Sequence, residues 1–163
     1  MKQLPEKIAL DKAVHGQRLY QGNVEIQQMS RLIDLLADAN GTIKFSIQFE
    51  RARGLLGKAQ VKVSADLPLI CKISEKRFMF PVEIDSTVGF IDDLAYEDLL
   101  DVDMEASWVE EGFVKPLDII EDELILAVPD IPFNEDHVGD SEDEDLISAE
   151  KKPSPFAVLK NLK

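Results

Sequence analysis

Among 163 residues there are one cysteine, one tryptophan and two histidines, and this scarcity removes several chemistries at once. Cys71 has no partner for an intrachain disulfide, which fits a reducing, intracellular setting. It falls on the apolar side of a strand-like run with no histidine near it in sequence, so it reads as a buried structural residue rather than a nucleophile. His15 and His137 have no metal-ligand spacing, and no metal or cofactor is expected. No glycine-rich phosphate loop follows a strand. No apolar run is long enough to span a bilayer, and none near Met1 suits a signal peptide, so the expectation is a cytoplasmic protein without a membrane partner. Asp101, Asp103 and Glu105 begin like a calcium loop, but Ala106 and Gly112 stand where that loop needs glycine and glutamate. Gly54-Leu-Leu-Gly57 has the bare spacing of an RNA-clamping loop. Its apolar interior and its place between strands make it a hairpin connection instead.

The second half of the chain also lacks bases. Residues 1–90 carry 13 Lys+Arg against 10 Asp+Glu, whereas residues 91–150 carry 22 acids and only Lys115 as a base. The last 13 residues add four lysines and no acid, within an overall charge of −14. Charge segregation of this kind governs solubility and choice of partner, not fold. It suits either a solvated flank or a surface for a basic partner. On the basic side, Arg51, Arg53, Lys58, Lys62, Lys72, Lys76 and Arg77 cluster in sequence and are the candidate RNA-binding residues, through phosphate contact. No aromatic platform interleaves with them.

Apolar periodicity supplies the fold class. Short strands are expected at Lys7–Leu10 and Arg18–Gln21, then a helix of about three turns capped by Asn23, with Ile26, Met29, Leu32, Ile33 and Leu36 inside. Asn40-Gly41 stops it. Ile43–Phe49, Ala59–Ala65, Leu67–Ile73 and Phe78–Ile84 alternate apolar with polar residues and read as four strands. Pro81 marks an edge or a bulge, and Val88–Ile91 extends the last strand. Met104–Trp108 reads as one more. Short connections favour an antiparallel meander, open to curling towards a barrel. The expected class is therefore α+β: an antiparallel sheet of at least four strands with two packed helices, in a single domain over residues 1–133. Residues 134–150 hold eight acids and no base. Residues 134–152 are accordingly expected to be a disordered linker, followed by a short amphipathic motif over 153–163.

The strongest helix signal runs from Pro116 to Val128. Pro116 suits a first turn, Asp118, Glu121, Asp122 and Glu123 favour the positive end of the helix dipole, and Leu117, Ile120, Leu124 and Ala127 form an apolar stripe. Gly112 releases the chain before it, and Pro129 and Pro132 stop it. Adjacent carboxylates on a helix point in different directions, so Glu121-Asp-Glu123 does not read as an acid–base pair, and no catalytic residue is identified. In the last stretch, Pro155, Phe156, Leu159, Lys160 and Leu162 are the candidate partner-binding residues. About ten residues are too few for an isolated helix, so that stretch either docks on its own domain or awaits a partner.

The helix and the tail together resemble the YceD family, named for accumulation of large-subunit ribosomal RNA. The resemblance is carried by Gly112, Leu117, Glu121-Asp122-Glu123-Leu124-Ile-Leu-Ala-Val-Pro129, Ile131-Pro132 and, beyond an acidic gap, Lys152-Pro-Ser-Pro-Phe-Ala-Val-Leu-Lys160. Many family members carry Cys-x-x-Cys in the middle strands. Here Cys71-Lys-Ile-Ser74 keeps only the first, which speaks against a zinc site. The resemblance implies a cytosolic, non-enzymatic factor in ribosome biogenesis; a monomer with no small-molecule substrate is the accompanying expectation. Its partner would be a ribosomal RNA precursor or a basic large-subunit ribosomal protein.

Overall fold

The computed structural model describes residues 4–136, and the expected linker and tail from 137 onward, His137 included, lie outside the described residues. The chain forms β1 (Ile8–Ala9), α1 (Leu10–His15), β2 (Leu19–Glu25), a 3-10 turn (Ile26–Gln28), α2 (Ser30–Ile33), β3 (Thr42–Glu50), β4 (Gly57–Ile70), β5 (Arg77–Ile91), a 3-10 segment (Leu94–Leu99), β6 (Met104–Trp108), β7 (Phe113–Val114) and α3 (Pro116–Ala127). Five strands lie side by side in the order β2-β3-β4-β5-β6, and β1 pairs with β7 in a separate two-stranded ribbon.

Sequence alternation sets the two faces of this sheet. In β3 and β4, Ile43, Phe45, Ile47 and Phe49 align with Val63, Val61 and Ala59 in register (Phe45 opposite Val63, Ile47 opposite Val61, Phe49 opposite Ala59), and all are buried. The α1 residues Leu10, Ala13 and Val14 and the α3 residues Ile119, Ile120 and Leu124 join the same core. The helices therefore cover one face, while Lys44, Lys62, Ser64, Glu83 and Asp85 stand on the other. Burying side chains of this size contributes about 1.5–3 kcal/mol each, so the apolar face fixes register: a one-residue slip would turn every one of them outward.

Several expectations change. The sheet is mixed rather than purely antiparallel, because β6 runs parallel to β5 (Thr87 opposite Met104, Ile91 opposite Trp108), and no barrel closes, with β2 and β6 left as edges. The expected strands at 59–65 and 67–73 are one continuous strand, β4, whose inner positions run on through Leu67 and Leu69. The three-turn helix after Asn23 does not form. Asn23, Val24 and Glu25 are instead the end of β2, paired with Lys44, Ile43 and Thr42. Ile26, Met29 and Leu32 are still fully buried, because a three-residue apolar spacing suits a 3-10 turn as well as an α-helix. Among the described residues only α3 is a helix of full length; α1 and α2 have six and four residues. At the N-terminal end only Ile8–Ala9 is strand, since Leu10 already starts α1. Pro81 lies in the half of β5 that has β4 on one side and no strand on the other, the edge position its missing N–H requires.

Two glycines matter to the architecture. Glu111 (φ 53°) and Gly112 (φ 79°) form a tight turn closed by the Glu110–Phe113 bridge, and the Gly112 carbonyl accepts the Leu10 N–H at 3.0 Å. Gly112 is thus the bend that aims β7 at β1, rather than a simple release. Gly89 is extended, and a Cβ there would fall 2.2 Å from Leu100 Cδ2, so it gives the chain after the 3-10 segment room to lie against β5.

Candidate functional site

The acidic run on α3 splits into three different roles. Glu121 is buried against the start of α2: its Oε1 accepts the backbone N–H groups of Arg31 (2.7 Å) and Leu32 (3.1 Å), and its Oε2 accepts Arg31 Nε at 3.0 Å and pairs with Nη2 at 2.8 Å. The first N–H groups of any helix lack internal partners, and α2 has no side-chain cap of its own. Glu121 therefore caps α2 from across the fold. Asp122, exposed, holds Arg31 Nη1 at 2.6 Å, and together the two carboxylates raise the guanidinium pKa, Asp122 contributing most. Glu123 is buried beside Ser86. Burial raises its carboxyl pKa, opposed by the Ser86 hydroxyl and assisted by the charges of Glu105 and Asp122. Of the remaining motif residues, Leu124 is fully buried, and Leu117 and Pro129 are half-buried.

The sequence gives no local sign of the Glu121 cap, since its partners lie 89 and 90 positions away. Only Arg31, a lone base at the head of an apolar turn, hints that an acid is needed there.

The candidate RNA-binding cations do not gather. Arg51 and Arg53 are exposed in the β3–β4 connection, whereas Lys72, Lys76 and Arg77 lie around the β4–β5 turn. The 14 residues of β4 separate these groups by roughly 40 Å at about 3.3 Å per residue. At least three of the seven are engaged by carboxylates: Lys58 with Glu50 at 3.4 Å, Lys62 with Asp85 at 3.2 Å and Arg77 with Asp38 at 2.7 Å. The open face of the sheet forms a shallow groove of about 890 Å³ in which Lys44 and Lys62 alternate with Ser46, Ser64, Glu83 and Asp85. That face is polar and close to neutral, not a basic stripe.

A different surface stands out between Asp92 and Phe113. This stretch has nine acids and no base, and it exposes Leu94, Tyr96, Leu99, Val102, Trp108 and Phe113. Trp108 and Phe113 border a cleft of about 260 Å³ at the head of α3, together with the acids Glu110, Asp118 and Asp122 and the bases Lys7 and Lys115. Carboxylates beside an exposed indole face can take a cation by charge and by its attraction to the ring.

Cys71 is closed off from solvent where β4 ends. Hydrogen bonds from the Ser74 side chain and backbone, with weaker help from the Asn134 and Ile73 backbones, outweigh burial and lower its thiol pKa to about 6. Ser74, three residues further on, is thus the partner of the Cys71 thiol. Among the described residues no cluster of three or more His, Cys, Asp or Glu is placed to hold a metal ion, and no helix is long and apolar enough to cross a membrane. Pro155, Phe156, Leu159, Lys160 and Leu162 lie outside the described residues.

No protein-family model matches the chain, and no solved structure does. Among curated proteins it is similar to the large ribosomal RNA subunit accumulation protein YceD of Haemophilus influenzae, at 28% identity over 176 aligned positions that cover 100% of this chain and 99% of that protein. The similarity to that protein therefore runs end to end.

Proposed function

We propose that the chain is a cytoplasmic, non-enzymatic factor supporting accumulation of large-subunit ribosomal RNA. The observation that carries this reading is the full-length similarity to a relative named for that role. Two modes of contact are open to such a factor: phosphate binding by the sheet cations, or capture of a basic large-subunit ribosomal protein. The charge placement favours the second. Phosphate binding draws its strength from several cations neutralising adjacent phosphates, and here the seven candidates are spread along β4 and both of its flanking connections, with at least three held in ion pairs. The stretch from Asp92 to Phe113 instead combines carboxylates with exposed aromatic and aliphatic side chains, which suits a segment rich in Arg and Lys with apolar residues between. Charges of that kind also speed encounter with a basic partner.

The test is crosslinking of the tagged full-length protein in co-sedimenting precursor large-subunit particles. Two variants are compared. Arg51→Ala/Arg53→Ala/Lys62→Ala/Lys72→Ala should keep its association, and Asp98→Asn/Asp101→Asn/Trp108→Ala should lose it at least several-fold, with a basic ribosomal protein as the main crosslink. Crosslinks to RNA, lost in the first variant and kept in the second, would return the contact to the sheet cations. Failure of the wild-type protein to associate with any ribosomal precursor would overturn the functional reading itself.

A further inference from the structure

One cleft is used neither by the acidic surface nor by the sheet face. It lies where the segment after α2, the end of β4 and the end of α3 meet, and has a volume of about 550 Å³. Its walls are apolar, with Leu35, Ile70, Ile125 and Pro129 among the lining residues. Leu35 is 46% exposed and Ile70 41% exposed, so two large aliphatic side chains from different elements stand open at one cleft. Asp34, Asp130 and Lys72 complete the lining, which leaves it with a net negative charge.

The chain itself passes this cleft as it leaves the fold. Pro132 lines it, and the Pro132 carbonyl accepts the Lys72 N–H at 2.9 Å, which fastens the outgoing chain at the rim. From Asp136, the last described residue, 17 residues lead to Pro153. Seventeen residues can span at most about 56 Å. The cleft is only four residues back along the chain, well inside that reach. The exposed Trp108 region lies further on, at the head of α3.

The segment beyond the acidic stretch has the matching chemistry. Residues 151–163 carry four lysines, no acid, and the apolar side chains Phe156, Val158, Leu159 and Leu162. A segment this short is not a stable helix by itself and needs a surface to bury those side chains. We propose that the cleft between Leu35, Ile70 and Ile125 receives the chain's own C-terminal segment, Pro153 to Lys163, with Phe156 and Leu159 entering it and Lys160 and Lys163 facing Asp34 and Asp130.

Tethering makes this occupancy attainable with weak contacts. A short flexible connection gives an effective concentration on the order of millimolar, so a segment whose free peptide binds at about 0.1 mM is roughly nine-tenths docked. The two halves of the family motif, the α3 end and the distal Pro-Phe-Ala-Val-Leu, then form one packed unit across the acidic gap. The inference is independent of the ribosomal reading, since it concerns only how this chain covers its own cleft.

The test uses the full-length protein with labelled Ile and Leu methyl groups, compared by NMR with a Phe156→Asp/Leu159→Asp variant. Expected are cross-relaxation contacts between the Phe156 ring and the Leu35 and Ile70 methyls, lost in the variant, with shifts confined to the cleft. Adding a synthetic peptide of residues 151–163 to the variant at millimolar concentration should move the same signals back, and the wild-type spectrum should not change over a tenfold dilution. A Leu35→Asp variant, altered at an exposed position, should release the tail signals without unfolding the protein. Coincident cleft signals in wild type and tail variant would overturn the proposal. So would cleft signals that shift on dilution, which would make a second copy the occupant.

Discussion

Glu121 and Asp122 are neighbours in sequence and both bind Arg31, yet replacing them should have very different costs. Glu121 is buried and its Oε1 is the acceptor for two backbone N–H groups at the start of α2. In Glu121→Ala, the Leu32 N–H is left buried without a partner, a penalty of about 1–3 kcal/mol. The lost cap adds about 1 kcal/mol. The Arg31 guanidinium is half exposed and returns to water, so its share is small. The sum is about 3 kcal/mol, or roughly 10 °C in melting temperature for a domain of this size. Asp122→Ala breaks one exposed ion pair, worth less than about 1 kcal/mol and a shift of at most about 3 °C. Glu121→Gln should fall between, because one oxygen can still accept both N–H groups while the new amide faces the Arg31 donors. Thermal and urea denaturation followed by circular dichroism would measure all three. Equal costs for Glu121→Ala and Asp122→Ala, or a loss below about 1 kcal/mol for Glu121→Ala, would refute the capping role.

Two further outcomes depend on pH. Burial raises the Glu123 carboxyl pKa, so its stabilising contribution is complete below the ordinary carboxylate range and is lost as pH rises through the raised value. Glu123→Gln should therefore melt higher than wild type at pH 7–8 and gain nothing at pH 4. The Cys71 thiol is lowered to about 6, so its contribution is present above the unfolded thiol pKa of about 8.5 and is lost as pH falls through about 6. The melting-temperature gap between wild type and Cys71→Ala should be widest near pH 9 and narrow towards pH 6, and Ser74→Ala, lacking the main hydrogen-bonding group, should flatten that profile.

Where apolar alternation was long and clean, the pattern carried through to the structure. Ile43 to Phe49 and Ala59 to Ala65 became paired inner faces, and Pro116 to Ala127 became α3. Legibility failed where two backbones share one pattern. Ile26, Met29 and Leu32 are buried as their spacing implies, but sheet pairing by Asn23–Glu25 consumed the residues that would have started the helix. The parallel β6 was hidden because strand direction depends on the path of the intervening chain, and nothing in Met104–Trp108 encodes it. Among candidate site residues, three around α3 have plain structural roles: Gly112 is a left-handed turn, Leu124 is core and Glu121 a remote cap. The basic residues could not be read from sequence proximity, because a strand of 14 residues carries its ends far apart.

The β1–β7 ribbon bears on the order in which this protein is made. Ile8 and Ala9 find their partners only at Val114 and Phe113. At a synthesis rate of about 5–20 residues per second, some 5–20 seconds separate the emergence of the two strands. In that interval the hairpins from β2 to β5 can close with neighbours already translated, while β1 stays unpaired. The turn at 26–33 also waits, since Glu121 is made later still. A nascent chain cut short before β7 would thus hold a nearly complete sheet with an unclasped first strand and an uncapped α2, leaving apolar Ile8 and Leu32 without their final partners. Completion of this fold is decided at its C-terminal third, and any chaperone that attends it has most to protect just before that third arrives.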